Sequence, residues 1–169
     1  MEDYIIRPLR QDDLEAVFEL LSAFPDPYPA GYVQNDKRGG IKWLLNYILE
    51  KSDNSEGQSF ILEISGEIVG HIAYVRKERE QDKYEVWAVA ISRPHQRRGL
   101  GRKLFEYTEQ ELKKVKARSK HDRLIMMWQC GKTESKIYEK FGGKLWYICP
   151  GWWSHKKKGI DRYVMYKTV

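Results

Sequence analysis

Gln96-Arg97-Arg98-Gly99-Leu100-Gly101 brings two glycines and a cluster of cations to the start of an amphipathic segment. Glycines flanking one residue let the backbone turn tightly and approach a ligand with no Cβ in the way. The first-turn N–H groups of a helix lack intrahelical partners and sit at the positive end of its dipole. With Arg97, Arg98, Arg102 and Lys103 around the turn, the expected product is an anion cradle suited to a pyrophosphate. Other glycine-rich phosphate loops fit worse. A P-loop needs Gly-x-x-x-x-Gly-Lys followed by Ser or Thr, and the chain has no such run. A dinucleotide motif needs a third glycine where Arg102, Lys103 and Leu104 stand, and it usually opens its βαβ unit rather than arriving mid-chain.

The cradle has to be positioned by the elements on either side of it. Tyr84 to Ile91 reads as a strand, and Gly99 to about Lys116 as a helix with Leu104, Phe105, Thr108, Leu112 and Val115 on its inner face. Upstream, Tyr4 to Arg7 is a short strand stopped by Pro8. Asp12 followed by Glu15 resembles a capping box for a helix bearing Leu14, Val17, Phe18 and Leu21 on one face. Pro25, Pro27 and Pro29 end that helix, and Ile41 to Leu49 carries a second. Phe60 to Ile64 and Ile68 to Val75 form a hairpin turning at Ser65-Gly66. Downstream come a strand at Leu124 to Trp128 and a helix at Thr133 to Phe141 closed by Gly142-Gly143. Strands at Lys144 to Cys149 and Arg162 to Lys167 finish the chain.

With 169 residues and 41% hydrophobic content, the chain suits one domain, residues 1–169, with a full core. Mean hydropathy is −0.68, and no apolar run nears the ~20 residues of a membrane helix, so no membrane partner is expected. Met1-Glu2-Asp3-Tyr4 lacks the basic-then-apolar layout of a secretory signal. Cys130 and Cys149 make no disulfide framework and have no metal-ligand spacing with the four histidines, so no metal is expected. A reducing cytoplasm is the expected home. The net charge of +6 favours an anionic partner, a demand that a nucleotide coenzyme, nucleic acid or anionic lipid would each meet.

The Gln/Arg-x-x-Gly-x-Gly pattern behind a hydrophobic strand resembles motif A of the GNAT N-acetyltransferases, where the turn binds the pyrophosphate of acetyl-CoA. The element order, strand–helix–helix–three strands–helix–strand–helix–two strands, is similar to that family over essentially the whole chain. Ile6-Arg7-Pro8 leading to Asp12, and Ile64-Ser65-Gly66-Glu67-Ile68-Val69-Gly70, also resemble it. Ile137-Tyr138-Glu139-Lys140-Phe141-Gly142 resembles motif B, in which a tyrosine faces the coenzyme sulfur. The resemblance implies an α/β fold with a central mixed, mostly antiparallel sheet flanked by helices, and an acetyl-CoA-dependent N-acetyltransferase. Gln96, Arg97, Arg98, Gly99, Leu100, Gly101 and Arg102 would then hold the coenzyme. The backbone amides of Val89 and Ile91 would receive the acetyl carbonyl and the pantetheine arm. Two positions depart from the pattern: Gly131 stands where many members carry Asn, and Gly143 where Phe usually follows Gly142.

Acetyl transfer to an amine needs a neutral nucleophile and a proton for the departing thiolate. A lysine amine, with a pKa of about 10.4, costs roughly 4–5 kcal/mol to hold neutral at pH 7, and an α-amine nearer 1. Glu85 is the candidate base, acting directly or through water, and Tyr138 the candidate acid. Strand alternation expects Glu85, Trp87, Val89 and Ile91 on one face, aimed at one cleft. The alternatives are a solvent-facing Glu85 after Glu78, Glu80 and Asp82, and a Tyr138 that only packs. His95 reads as a loop residue.

The resemblance implies a primary amine as acceptor, small or peptide-borne, and a monomer or homodimer is expected. Tyr28 and Tyr32 in a proline-rich segment, and Trp153 beside Trp152, could form an aromatic wall, with Asp26 or Asp36 near a cationic amine. The plainer reading has those rings close the core edge and Lys156 to Lys158 turn in solvent. Two other functions stay open. One is a catalytically idle acyl-CoA sensor. The other is nucleic-acid binding through Lys113 to His121 and the Trp-Trp-Lys-rich loop, although no nucleic-acid motif is present.

Overall fold

Segments rich in β-branched and aromatic residues form seven strands: β1 (Tyr4–Pro8), β2 (Gly57–Ile64), β3 (Glu67–Glu78), β4 (Lys83–Ile91), β5 (Ile125–Cys130), β6 (Lys144–Trp153) and β7 (Ile160–Thr168). The apolar stripes at helical spacing give α1 (Leu14–Ser22), α2 (Lys37–Asp53), α3 (Leu100–Lys116) and α4 (Lys132–Glu139). The computed structural model describes residues 3–23, 37–53, 56–78, 83–118, 123–153 and 160–169.

The strands make one mixed sheet in the order β1-β2-β3-β4-β5-β7-β6. All neighbours pair antiparallel except β4 and β5, which run parallel. This is the α/β architecture expected from the sequence. One face of the sheet packs on α3 and α4 through Phe60, Leu62, Ile72, Val86, Leu104, Phe105, Leu112, Met126 and Trp128. The other packs on α1 and α2 through Ile61, Ala73, Val75, Val17, Phe18, Ile41, Leu45 and Ile48. Several of these side chains are fully withdrawn from water, each worth about 1.5–3 kcal/mol of burial.

Two local expectations are corrected. The helix entry is organised by Asp13 rather than by Asp12 and Glu15. The Asp13 carboxylate accepts the Arg10 N–H at 2.8 Å and both Arg7 guanidinium arms at 2.7 and 2.8 Å. Arg7 therefore holds the Asp13 carboxyl below its usual range, against the opposing effect of burial. β6 runs past Cys149 to Trp153 as an edge strand, and it leaves Leu145, Trp146, Tyr147 and Ile148 exposed.

Candidate active site

β4 and β5 begin as a parallel pair and then part. Their ladder runs from Lys83↔Ile125 to Val86↔Trp128 and stops, while β4 continues to Ile91 and β5 continues along β7. A fork opens between the two strands. Its β4 arm carries a bulge: the register with β3 is Ala73↔Trp87 but His71↔Ala90, so Ala88 and Val89 together face Ile72. Ala88 takes a φ of +52°.

The bulge overturns the expectation that Glu85, Trp87, Val89 and Ile91 share a face. Tyr84 and Val86 belong to the α3 side, and alternation puts Glu85 and Trp87 on the α2 side. The extra residue at Ala88 then flips the pattern, so Val89 and Ile91 pack on the α3 side and Ala90 on the α2 side. The backbone follows the same switch. Ser92 N–H donates to Val69 O at 2.8 Å, which fixes the hydrogen-bonded positions beyond the bulge as Ala90 and Ser92. Val89 and Ile91 accordingly turn their N–H and C=O groups away from β3, toward the fork.

At the mouth of the fork lies the basic turn. Arg97 (φ +61°) and Gly99 (φ +79°, ψ 0°) both adopt left-handed backbone, and α3 starts at Leu100. The first helical bond runs from Lys103 N–H to Gly99 O at 3.1 Å. The N–H groups of Leu100, Gly101 and Arg102 therefore precede it, with no helical acceptor. A Cβ on Gly101 would meet only Ile91 Cγ1, at 3.7 Å, so this glycine faces the β4 arm across open space. The side chains divide by role. Leu100 is buried in the core, and Gln96 Nε2 donates to Ile91 O at 2.8 Å, tying the turn to β4. Arg102 pairs with Glu106 at 2.7 Å, and the His95 ring joins Ser92 Oγ at 2.9 Å in the loop. Arg97 and Arg98 are exposed.

Tyr138 stands on the α3 side, packed by Phe105, Trp128 and Phe141 with ring centroids 5.7, 5.2 and 6.0 Å away. Burial first, then the nearby Cys130 and Glu134, pushes its phenol upward, so the hydroxyl stays protonated at neutral pH. Burial likewise pushes the Cys130 thiol up to about 12, leaving it an inert thiol. Trp128 also explains the unusual Gly143. A Cβ there would meet Trp128 Cζ2 at 2.5 Å and Tyr138 O at 2.9 Å, so the indole fills the space a larger residue would need.

Glu85 is buried on the opposite face, not turned to solvent. Its Oε2 lies 2.9 Å from Lys77 Nζ, and its Oε1 accepts from Gln129 Nε2, a side chain of β5 at the base of the fork. Next to it runs a ladder of rings that sequence reasoning missed. Trp43 stacks on Tyr47 (5.3 Å, 12°), and Tyr47 on Trp87 (5.7 Å, 22°). Lys51 lies over Tyr47 and Lys77 over Trp87. The i, i+4 spacing of Trp43 and Tyr47 was a readable signal, but their junction with Trp87 depends on the sheet. Tyr28, Tyr32, Asp26, Asp36 and Lys156 to Lys158 lie outside the described residues, and Trp153 is placed only as the end of β6.

Lys113 and Lys114, proposed above as nucleic-acid contacts, pair with Glu109 and Glu111 of their own helix, and Lys116 donates to Val169 O. Among the described residues no three His, Cys, Asp or Glu side chains gather for a metal ion, and no helix is long and apolar enough to cross a membrane.

Behind the bulge His71 is completely buried. Its Nδ1 donates to Ala88 O at 3.0 Å and its Nε2 accepts from Ser59 Oγ at 2.7 Å. Burial drives its pKa down to about 4, only partly opposed by the Ala88 carbonyl. In the unfolded chain a histidine titrates near 6.5, so below that pH the unfolded state binds a proton that the folded state refuses. Stability is therefore full above pH ~6.5 and falls as pH drops toward 4. Urea unfolding is expected to give about 2 kcal/mol less stability at pH 5 than at pH 7.5 from this group, a difference that His71→Leu removes. An equal pH dependence in wild type and variant would contradict the assignment.

A profile described as Acetyltransferase (GNAT) family matches residues 14–142. A search of curated protein sequences finds no match. Among solved structures, an acetyltransferase of the GNAT family from Streptococcus pneumoniae superposes with a TM-score of 0.76 at 17% identity, covering 99% of this chain and 100% of that one. The ribosomal-protein-S18-alanine N-acetyltransferase of Escherichia coli gives 0.73 at 18%, covering 99% and 94%. Spermidine N-acetyltransferase of Vibrio cholerae, in complex with CoA and spermine, gives 0.72 at 16%, covering 98% and 95%. At these identities the structural likeness speaks for the fold.

Proposed function

The chain belongs to the acetyltransferase (GNAT) family, and from that premise we propose that it moves an acetyl group from acetyl-CoA to a primary amine by direct attack. One observation supports the reading: the N–H groups of Leu100, Gly101 and Arg102 have no helical acceptor, and Gly101 faces Ile91 on the β4 arm, where Val89 and Ile91 turn their backbone away from β3. The first set suits a pyrophosphate, and the second suits a pantetheine amide and a thioester oxygen.

In the proposed reaction the thioester lies in the fork, where the two faces of the sheet communicate. The amine approaches from the α2 side, past the rings of Trp43, Tyr47 and Trp87. Its nitrogen lone pair attacks the carbonyl carbon, and the developing oxyanion is held by the Val89 N–H. The C–S bond then breaks, Tyr138 protonates the leaving sulfur, and the proton released by the new amide nitrogen passes to Glu85 directly or through water. The acceptor is a small or peptide-borne amine. Spermine in the Vibrio cholerae relative makes polyamines one class to test.

Glu85→Gln keeps the shape and the Gln129 contact but removes the proton acceptor. Steady-state kinetics should show kcat down about 100-fold with CoA affinity unchanged, the usual scale for a lost general base. Full turnover in a folded variant would remove Glu85 from the mechanism.

A further inference from the structure

The left-handed backbone at Ala88 is not paid for by residue type, because alanine gains nothing there that glycine or asparagine would offer. What holds it is a buried polar chain reaching from two strands away. Ser59 on β2 and His71 on β3 have essentially no exposure, and both ring nitrogens of His71 are engaged. The Ser59 hydroxyl donates to Nε2, which leaves the ring proton on Nδ1, aimed at the Ala88 carbonyl. Both nitrogens being occupied, the imidazole is placed to hold the backbone rather than to carry protons. Were the bulge to relax into regular pairing, every side chain and peptide beyond it would change sides, and Val89 would return its N–H to β3.

We propose that His71, locked by Ser59, is a positioning residue that pins the Ala88 bulge and thereby keeps the Val89 amide aimed into the fork. The inference rests on the acetyl-transfer reading for its consequence in catalysis, but the clamp itself can be read without any reaction. The turn keeps its own helix-start N–H groups for the pyrophosphate, while Val89 and Ile91 both change sides if the bulge relaxes, so loss of the clamp should act more on rate than on coenzyme binding.

His71→Leu, assayed with acetyl-CoA and the acceptor that wild type turns over, is expected to lower kcat roughly 10- to 100-fold while CoA affinity by calorimetry falls by less, within about fivefold. His71→Asn, whose amide N–H can replace the Nδ1 donor, should recover much of the rate. Ala88→Gly in the His71→Leu background should also recover it, since glycine adopts the left-handed conformation without strain. A folded His71→Leu with wild-type kcat would overturn the proposal. So would a loss that neither Asn nor Ala88→Gly relieves, because a merely structural histidine would behave that way. NMR separates the two levels. A slowly exchanging His71 Nδ1 proton in wild type supports the clamp, and its absence overturns it. That protected proton in a protein that acetylates no amine would instead count against the acetyl-transfer reading.

Discussion

Gly101→Asp is expected to weaken acetyl-CoA binding about 100- to 1000-fold and to leave the fold intact. The fold should survive because the site has room: a Cβ on Gly101 touches only Ile91 Cγ1, at an ordinary 3.7 Å. An acidic residue in the first turn of a helix is also favourable toward the dipole. The ligand meets the opposite situation. A carboxylate about 5 Å from a phosphate, at an effective dielectric of ~20, is repelled by roughly 3 kcal/mol. The same side chain would also fill the gap between α3 and the β4 arm. Gly99 is the less clean position, since its φ of +79° strains any residue with a Cβ. Calorimetric titration of the variant, with circular dichroism as the control for folding, reads the result. Unchanged affinity in a folded Gly101→Asp would remove the turn as the coenzyme site.

Tyr138→Phe should lower kcat about 100-fold and leave CoA affinity where it was. The ring makes its contacts with Phe105, Trp128 and Phe141, and phenylalanine keeps them all. What is lost is one hydroxyl, held protonated by burial beside Cys130 and Glu134. A departing alkyl thiolate is only moderately basic, with a thiol pKa of about 8.5, so its protonation contributes a modest factor rather than the whole acceleration. Thioesters with more acidic thiols should therefore lose less on the same substitution. A kcat equal to wild type would return Tyr138 to the role of a packed tyrosine.

The sequence carried the parts of this account that are local. Gly99 and Gly101 marked the turn, the stripe of Leu104, Phe105, Thr108 and Leu112 marked α3, and Ser65-Gly66 marked the β2–β3 hairpin. What stayed hidden depends on contacts between distant segments. The bulge falls on an alanine, with no glycine or asparagine to announce it, because its support comes from His71 and Ser59 on other strands. A two-residue alternation carried straight through it put Glu85 on the wrong side of the sheet relative to Val89 and Ile91. The helix entry was misassigned by one residue for a similar reason: Asp13 is selected by Arg7 on β1, six residues away. The ring ladder needed the sheet to bring Trp87 against Tyr47, and Gly143 was explicable only once Trp128 had been placed.

Acetyl transfer itself is tested most directly by incubating the purified protein with acetyl-CoA and pooled amines and reading the products by mass spectrometry. The pools should hold polyamines, aminoglycosides, amino acids, lysine peptides and peptides with free N-termini. An acetylated amine is expected in the wild-type reaction, strongly reduced with Tyr138→Phe and with Gly101→Asp. Acetyl-CoA bound by the wild type with no acetylated amine in any pool would contradict acetyl transfer to these amines and favour another acyl donor, an acceptor outside the pools or an idle acyl-CoA sensor.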